Sequence, residues 1–175
     1  MAGQRHKPFT MSQELVGRVV SLHLHPAKPG MPLKPVDFID VVAGKGIEGE
    51  PRYFGRISQA TGQPSRRQLS LIEREQIAAH AASLGLETIH PGAVRANIET
   101  LGIDLIACVG QQIEIGGAVL FLAEPRTPCE KMDAVCKGLR ELMQNNRQGV
   151  MAQLVKSGRI RVNDPIKLAK NVRPA

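Results

Sequence analysis

The stretch Gln111-Gln112-Ile113-Glu114-Ile115-Gly116-Gly117-Ala118-Val119-Leu120-Phe121-Leu122-Ala123 decides the fold class. Gly116-Gly117 is a two-residue hairpin turn, because glycine adopts the positive φ such turns require, and runs of strand formers flank it on both sides. Outward from this hairpin the same pattern of short strand, turn, short strand recurs. Apolar residues alternate through residues 16–24 (Val16, Val20, Leu22, Leu24), and residues 36–42 read as a second strand. Between them, residues 25–35 carry four prolines and are loop, as is the polar stretch 50–66 with Pro51, Gly55, Gly62 and Pro64. Residues 68–72 and 93–99 are further strand candidates. Downstream, strands are expected at 150–155, 159–162 and 166–169, punctuated by Ser157-Gly158 and Asn163-Asp164-Pro165.

Two helices interrupt this series. Ser70-Leu71-Ile72-Glu73 has the spacing of a capping box, Ile77, Ala81 and Leu84 follow at helical intervals, and Gly85 is a natural stop. The second helix is predicted over 127–144. Its apolar stripe is Met132, Val135, Cys136, Leu139, Leu142 and Met143. Many short strands and two helices give a mainly β, α+β chain built as a closed or nearly closed antiparallel barrel. A single domain over 15–170 is expected, with a flexible stretch at 1–14 and a tail at 171–175.

The bulk composition narrows the function. With 175 residues and 42% apolar residues the chain can bury one real core, and no apolar run approaches the ~20 residues of a membrane span. The first residues are charged with no apolar stretch behind them, unlike a secretory signal. Three cysteines, an odd number, argue against a disulfide framework and for a reducing, cytoplasmic setting. The net charge of +7 is concentrated early: residues 1–67 hold ten Lys/Arg against five Asp/Glu, and residues 68–175 hold thirteen against eleven. Aromatic residues make up only 3%, with no Trp, which argues against a stacking platform for nucleic acid and favours an anionic small molecule. A generally basic, soluble surface is the bland alternative.

The run Arg126-Thr127-Pro128-Cys129-Glu130 concentrates the chemistry. Thr127 suits an N-cap, Pro128 the first helical position, and Glu130 completes a second capping box. Cys129 is thereby predicted in the first turn of a helix, where free N–H groups favour an anionic sulfur. That makes it a nucleophile or sulfur carrier; the alternative is a small buried residue. Cys136, seven residues on, is too far along a helix to bridge to it, and both Cys136 and Cys108 read as packing. Gly44-Lys45-Gly46-Ile47-Glu48-Gly49 matches a dinucleotide fingerprint in spacing, but Pro51 and a polar loop follow where a helix is needed. Its glycines can still bring N–H groups to an anion. His23 and His25 share one face of a strand; with no third ligand in view they are expected to face solvent.

Several segments, in order over residues 15–169, resemble the MOSC family, named after the C-terminal part of molybdenum cofactor sulfurase. Gly46-Ile47-Glu48-Gly49-Glu50, Arg67-Gln68-Leu69-Ser70-Leu71, Pro91-Gly92-Ala93-Val94-Arg95-Ala96-Asn97-Ile98, Val109-Gly110 with Ile115-Gly116, Arg126-Thr127-Pro128-Cys129, and the tail from Gly149 to Asp164 carry the likeness. The resemblance implies a barrel-like domain that binds the molybdenum cofactor (molybdopterin). Cys129 would then carry a persulfide sulfur or ligate molybdenum. Arg67 and Arg95 would surround the phosphate, with Arg126 and Thr127 beside the cysteine, and Asn97 would hydrogen-bond the pterin. Glu50 stands where Asp is commoner, and Pro51-Arg52-Tyr53 replaces a His-containing segment. The pyridoxal-phosphate desulfurase domain of full sulfurases is absent from the sequence, so pyridoxal phosphate is expected only on a partner cysteine desulfurase. Three functions stay open: a sulfur carrier or cofactor-binding protein, a molybdenum-dependent reductase of N-hydroxylated compounds served by a redox partner, and a barrel used only for binding.

Overall fold

A computed structural model describes residues 15–170; the expectations for 1–14 and 171–175 lie outside the described residues. The Gly116-Gly117 turn is as expected. It joins β7 (Gln112–Ile115) to β8 (Ala118–Pro125), with φ of 57° and 81° at the two glycines. The remaining strands are β1 (Leu15–Leu24), β2 (Lys34–Val36), β3 (Phe38–Val42), β4 (Gly46–Ile47), β5 (Leu69–Glu73), β6 (Ile98–Leu101), β9 (Val150–Lys156), β10 (Gly158–Arg161) and β11 (Pro165–Leu168). Hydrogen bonding runs β11-β7-β8-β9-β5-β6-β1, and a β1–β11 pairing closes the ring into a seven-stranded barrel. β2 adds to the outside of β1, and β10, β3 and β4 form a second small sheet.

The barrel is mainly, not wholly, antiparallel: β5 and β6 run parallel. The cause is α1 (Arg74–Ser83), which returns the chain over the outside of the barrel, as a parallel crossover requires. Every residue of β5 is buried because both its faces are covered. Leu69 and Leu71 join the barrel core with Val19, Leu120 and Ile166. Ile72 points the other way, into an outer cluster with Ile77, Ala81, Met132, Leu139 and Met143.

Both predicted capping boxes fail, each for a physical reason. β5 persists to Glu73 and α1 begins at Arg74, because the Ser70 hydroxyl is engaged by Asn97 instead of by a helix N-terminus. The single helix expected over 127–144 is two short ones, α2 (Lys131–Val135) and α3 (Leu139–Leu142). Cys136 is extended, Gly138 takes φ 91°, and Asp133 Oδ1 accepts the N–H groups of Gly138 and Arg140, each at 3.1 Å. A side chain in the first turn of one helix thus caps the next, and Val135 of the predicted stripe is left exposed. The strand predicted at 93–99 starts only at Ile98, since Arg95 sits in the left-handed region at φ 61°.

Gly149 shows how tightly the strands behind the cavity are joined. It adopts φ 75°, and a Cβ there would lie 2.0 Å from the Leu71 carbonyl oxygen and 2.8 Å from Ile72 Cα. Neither backbone can retreat without breaking the β5–β9 ladder. Gly149→Ala is expected to lower unfolding free energy by about 2–4 kcal/mol, measured by urea denaturation.

Two buried histidines set a pH response. Burial lowers the pKa of His23 and of His80 below the ordinary 6.5. The folded chain therefore keeps both neutral while the unfolded chain takes up protons. Stability is fully present above that value and falls as the pH drops below it. His80 Nε2 lies 2.8 Å from the Arg147 carbonyl, a bond a glutamine amide can also make. Denaturation midpoints measured from neutral pH downward should decline less steeply in His80→Gln than in the wild type.

Candidate functional site

Six residues singled out from the sequence, Arg67, Arg95, Asn97, Arg126, Thr127 and Cys129, line one cavity of about 310 Å³. They arrive from three places: the segment entering β5, the turn before β6, and the strand-to-helix link after β8. α2 (Lys131, Met132), Gln148 just ahead of β9 and Met151 within it complete the wall, and His25, Glu50 and Tyr53 close the remaining side. Four cationic side chains thus meet a single carboxylate.

Cys129 is exposed and unpaired, but a helix start does not hold it. It precedes α2 by two residues, neither Thr127 nor Glu130 makes a side-chain cap bond, and a five-residue helix has little dipole to offer. What fixes the link is Arg126. Its N–H donates to the Gly149 carbonyl at 2.9 Å, and its guanidinium reaches the carbonyl oxygens of Gln148, Val94 and Arg95 at 3.3–3.4 Å. Pro128 is buried beneath, and the Cys129 carbonyl accepts the Met132 N–H at 3.0 Å. Arg126 has its pKa lowered to about 10, first by burial and then by the charges of Arg67 and Arg95, with an ionised Cys129 and Tyr53 working the other way. A cation this crowded gains from any anion that enters.

The other matched residues differ in how free they are. Arg67 is exposed and pairs with Glu124 at 3.1 Å. Arg95 donates to the Met31 carbonyl at 2.9 Å, pinning the proline-rich loop to the cavity rim. Thr127 is exposed. Asn97 is 1% exposed and its amide is spent within the protein: Oδ1 accepts the Ser70 N–H and hydroxyl, while Nδ2 donates to the His23 carbonyl and to Glu50 Oε1. It holds the wall together and has little left for a pterin. Cys108 packs against the barrel core, where burial pushes its thiol pKa up, and Cys136 packs against the outer cluster; both are packing residues.

Sequence reading missed six residues in or behind the wall. His23 and His25 do not face solvent. His23 is 2% exposed, and His25 meets Glu50 at 3.0 Å in the cavity wall. Glu50 is 1% exposed, so the loop following the Gly-rich turn does have a place in the site. Tyr53 packs edge-on against His25 with ring centroids 4.9 Å apart. Gln148 and Gln68 also line the cavity, and Gln148 Oε1 and Gln68 Nε2 are buried without a hydrogen-bond partner among the described residues. The alternation of residues 16–24 showed that His23 and His25 share a strand face, but not that this face is covered by a loop 25 residues away. Nothing local marked the glutamines. Among the described residues no cluster of three His, Cys, Asp or Glu could hold a metal ion, and no helix is long and apolar enough to cross a membrane.

A second cavity of about 520 Å³ adjoins the first and shares Arg95 and Lys131 with it. Its remaining lining, including Pro32, Leu33, Ala93 and Val135, is largely apolar.

Known proteins give a consistent frame. No curated protein sequence matches the chain. Among solved structures, the YuaD protein from Bacillus subtilis superposes with a TM-score of 0.71 at 21% identity, over 86% of this chain and 93% of that one. YiiM from Escherichia coli gives 0.62 at 20% identity, over 89% and 71% of the two chains. YiiM from Geobacillus stearothermophilus gives 0.63 at 18%, over 91% and 76%. At these identities the likeness is one of fold. The profile of the MOSC domain, however, matches residues 44–167, from the Gly-rich turn to the closing strand, and the chain belongs to the MOSC domain family.

Proposed function

We propose that this protein binds the molybdenum cofactor in the Cys129 cavity and carries sulfur there as a Cys129 persulfide. The observation that carries the reading is an exposed, unpaired thiol set among Arg67, Arg95, Arg126 and Lys131, with the one carboxylate of the described wall, Glu50, engaged by hydrogen bonds from the His25 and Asn97 N–H groups. Such a wall selects an anion, and guanidinium groups suit a phosphate. A thiolate or persulfide is a soft ligand of the kind a sulfur-bound metal accepts.

The residues present fit the group. A pterin edge has both N–H donors and a carbonyl acceptor, and the cavity offers Gln148 Oε1 and Gln68 Nε2, each lacking a partner. Burying such atoms unpaired costs about 1–3 kcal/mol apiece, so a ligand that satisfies them gains affinity. In this reading Arg67, Arg95, Arg126 and Lys131 hold the phosphate, and the two glutamines hold the ring edge. Thr127 and Cys129 stand at the metal end. When bound, the cofactor supplies a redox-active metal with sulfur ligands. Asn97 positions the wall. All three cysteines are free, which suits a reducing compartment, and we place the protein in the cytoplasm with a cysteine desulfurase as its sulfur source.

A second reading, a molybdenum-dependent reductase of N-hydroxylated compounds with Cys129 as metal ligand, is favoured by one observation: the imidazole–carboxylate pair of His25 and Glu50 in the wall. Replacing N–OH by N–H with loss of water consumes protons, and a sulfur carrier has less need of such a pair.

Protein produced in a host that makes the cofactor is expected to copurify with molybdenum and pterin, and Cys129→Ser to lose the metal. Incubation with a cysteine desulfurase and cysteine should add one sulfur atom to the intact mass, and none in Cys129→Ser. Sulfur added to Cys108 or Cys136 instead would refute the carrier role. Purification free of both molybdenum and pterin would refute the cofactor site.

A further inference from the structure

The second cavity, of about 520 Å³, differs in chemistry from the Cys129 cavity it adjoins. Pro32 and Leu33 reach it from the loop between β1 and β2, Pro91 and Ala93 from the turn ahead of Arg95, and Ala134 and Val135 from α2. Apolar side chains from three separate segments thus line one space, whose volume falls in the range of roughly 300–1,000 Å³ usual for small-molecule sites. Val135, 38% exposed, belongs to the apolar stripe expected for the helix but lines this space instead of a core. Among the described residues no Asp or Glu lines the cavity. Its charged side chains are Arg95 and Lys131, the two that it shares with the Cys129 cavity.

Both cations have bonding capacity to spare. Arg95 donates from Nη1 to the Met31 carbonyl at 2.9 Å, and its Nε and Nη2 have no partner among the described residues. The Lys131 ammonium has none there either. Arg95 also holds φ 61°, a conformation that residues with a side chain rarely adopt. The strained residue is the one that lines both cavities and ties the proline-rich loop to their rim, and strain of this kind gathers at binding sites. An apolar wall favours an apolar body, because contact removes both from water. The cations at its edge favour an anion, which a guanidinium fork can hold by two hydrogen bonds. A neutral apolar molecule leaves the cations unmet, and a bare inorganic anion leaves the wall wet. Arg67 and Arg126 belong to the Cys129 cavity and not to this one, so separate cations can hold an anion in each.

We propose that the second cavity binds an organic anion with an apolar body, such as an aromatic carboxylate. The body lies against α2 and the proline-rich loop, and the acidic group sits on Arg95 and Lys131, where the two cavities meet. The inference rests on the reading of the Cys129 cavity only for what is done to such a molecule. Binding itself is independent of it, and makes or breaks no covalent bond.

2-Naphthoate is a suitable probe, since the chain has no Trp and a single Tyr to compete with naphthalene fluorescence. Titration of the purified full chain should show saturable binding. 2-Naphthamide, the same body without the charge, and acetate, the charge without the body, should each bind at least about tenfold more weakly when measured by displacement. Ala134→Trp, which fills the cavity from an exposed position of α2, should weaken 2-naphthoate binding about tenfold or more. Val135→Glu, which puts a carboxylate into the wall, should do the same without adding bulk to a core. Lys131→Gln should narrow the preference for 2-naphthoate over 2-naphthamide. Equal binding of those two compounds by the wild type overturns the proposal, as does 2-naphthoate affinity unchanged in both Ala134→Trp and Val135→Glu, or no saturable binding at all. Molybdenum and pterin content decides the cofactor reading separately.

Discussion

Burying a carboxylate costs several kcal/mol unless donors meet it, and one side of the cavity wall is built around donors that converge on Oε1 of Glu50. The donors come from His25, at the end of β1, and from Asn97, just ahead of β6. Asn97 in turn accepts two bonds from Ser70 on β5. One side chain therefore ties the Gly-rich turn to three barrel strands. The polar cluster replaces what apolar packing does elsewhere in the barrel, and it does so where a pocket must stay open.

The same economy explains the link that carries Cys129. Two features that promise order in the sequence, a threonine cap and a long amphipathic helix, are absent. In their place stands Arg126, whose guanidinium is spread over three carbonyl oxygens from two separate segments. These are long bonds to neutral acceptors, which leave the positive charge uncompensated. Arg126 thus serves as a strut while its field remains available to a ligand. Arg67, paired with the exposed carboxylate of Glu124, contributes little by way of architecture.

How much of this was legible in the sequence depended on the range of the forces involved. The hairpin at Gly116-Gly117, the strands near the C-terminal end and the proline-rich loop follow from local backbone preference, and all are found. The helix limits are not, because Ser70 and Asp133 spend their side chains on partners that only the folded chain supplies. The site shows the same division. Arg67, Arg95, Asn97, Arg126, Thr127 and Cys129 stood in recognisable motifs and do converge on one cavity. His25 and Glu50 each look ordinary alone; their meaning lies in a contact between two loops. Gln68 and Gln148 became visible only through what they lack, a partner for a buried polar atom.

The closure of the barrel has a consequence for how it is assembled. β1 hydrogen-bonds to β11, so Leu15 lies opposite Lys167 and Arg18 opposite Pro165. Every other strand of the ring, and nearly all of the cavity wall, lies between those two in the chain. The ring therefore shuts with the longest loop the topology allows, an entropic debt incurred before its reward. Until that last seam forms, both edges are open ladders, ready to pair with a neighbouring chain as well as with each other. The barrel's resistance to aggregation during folding is thus decided at a seam far along the chain from the chemistry it protects.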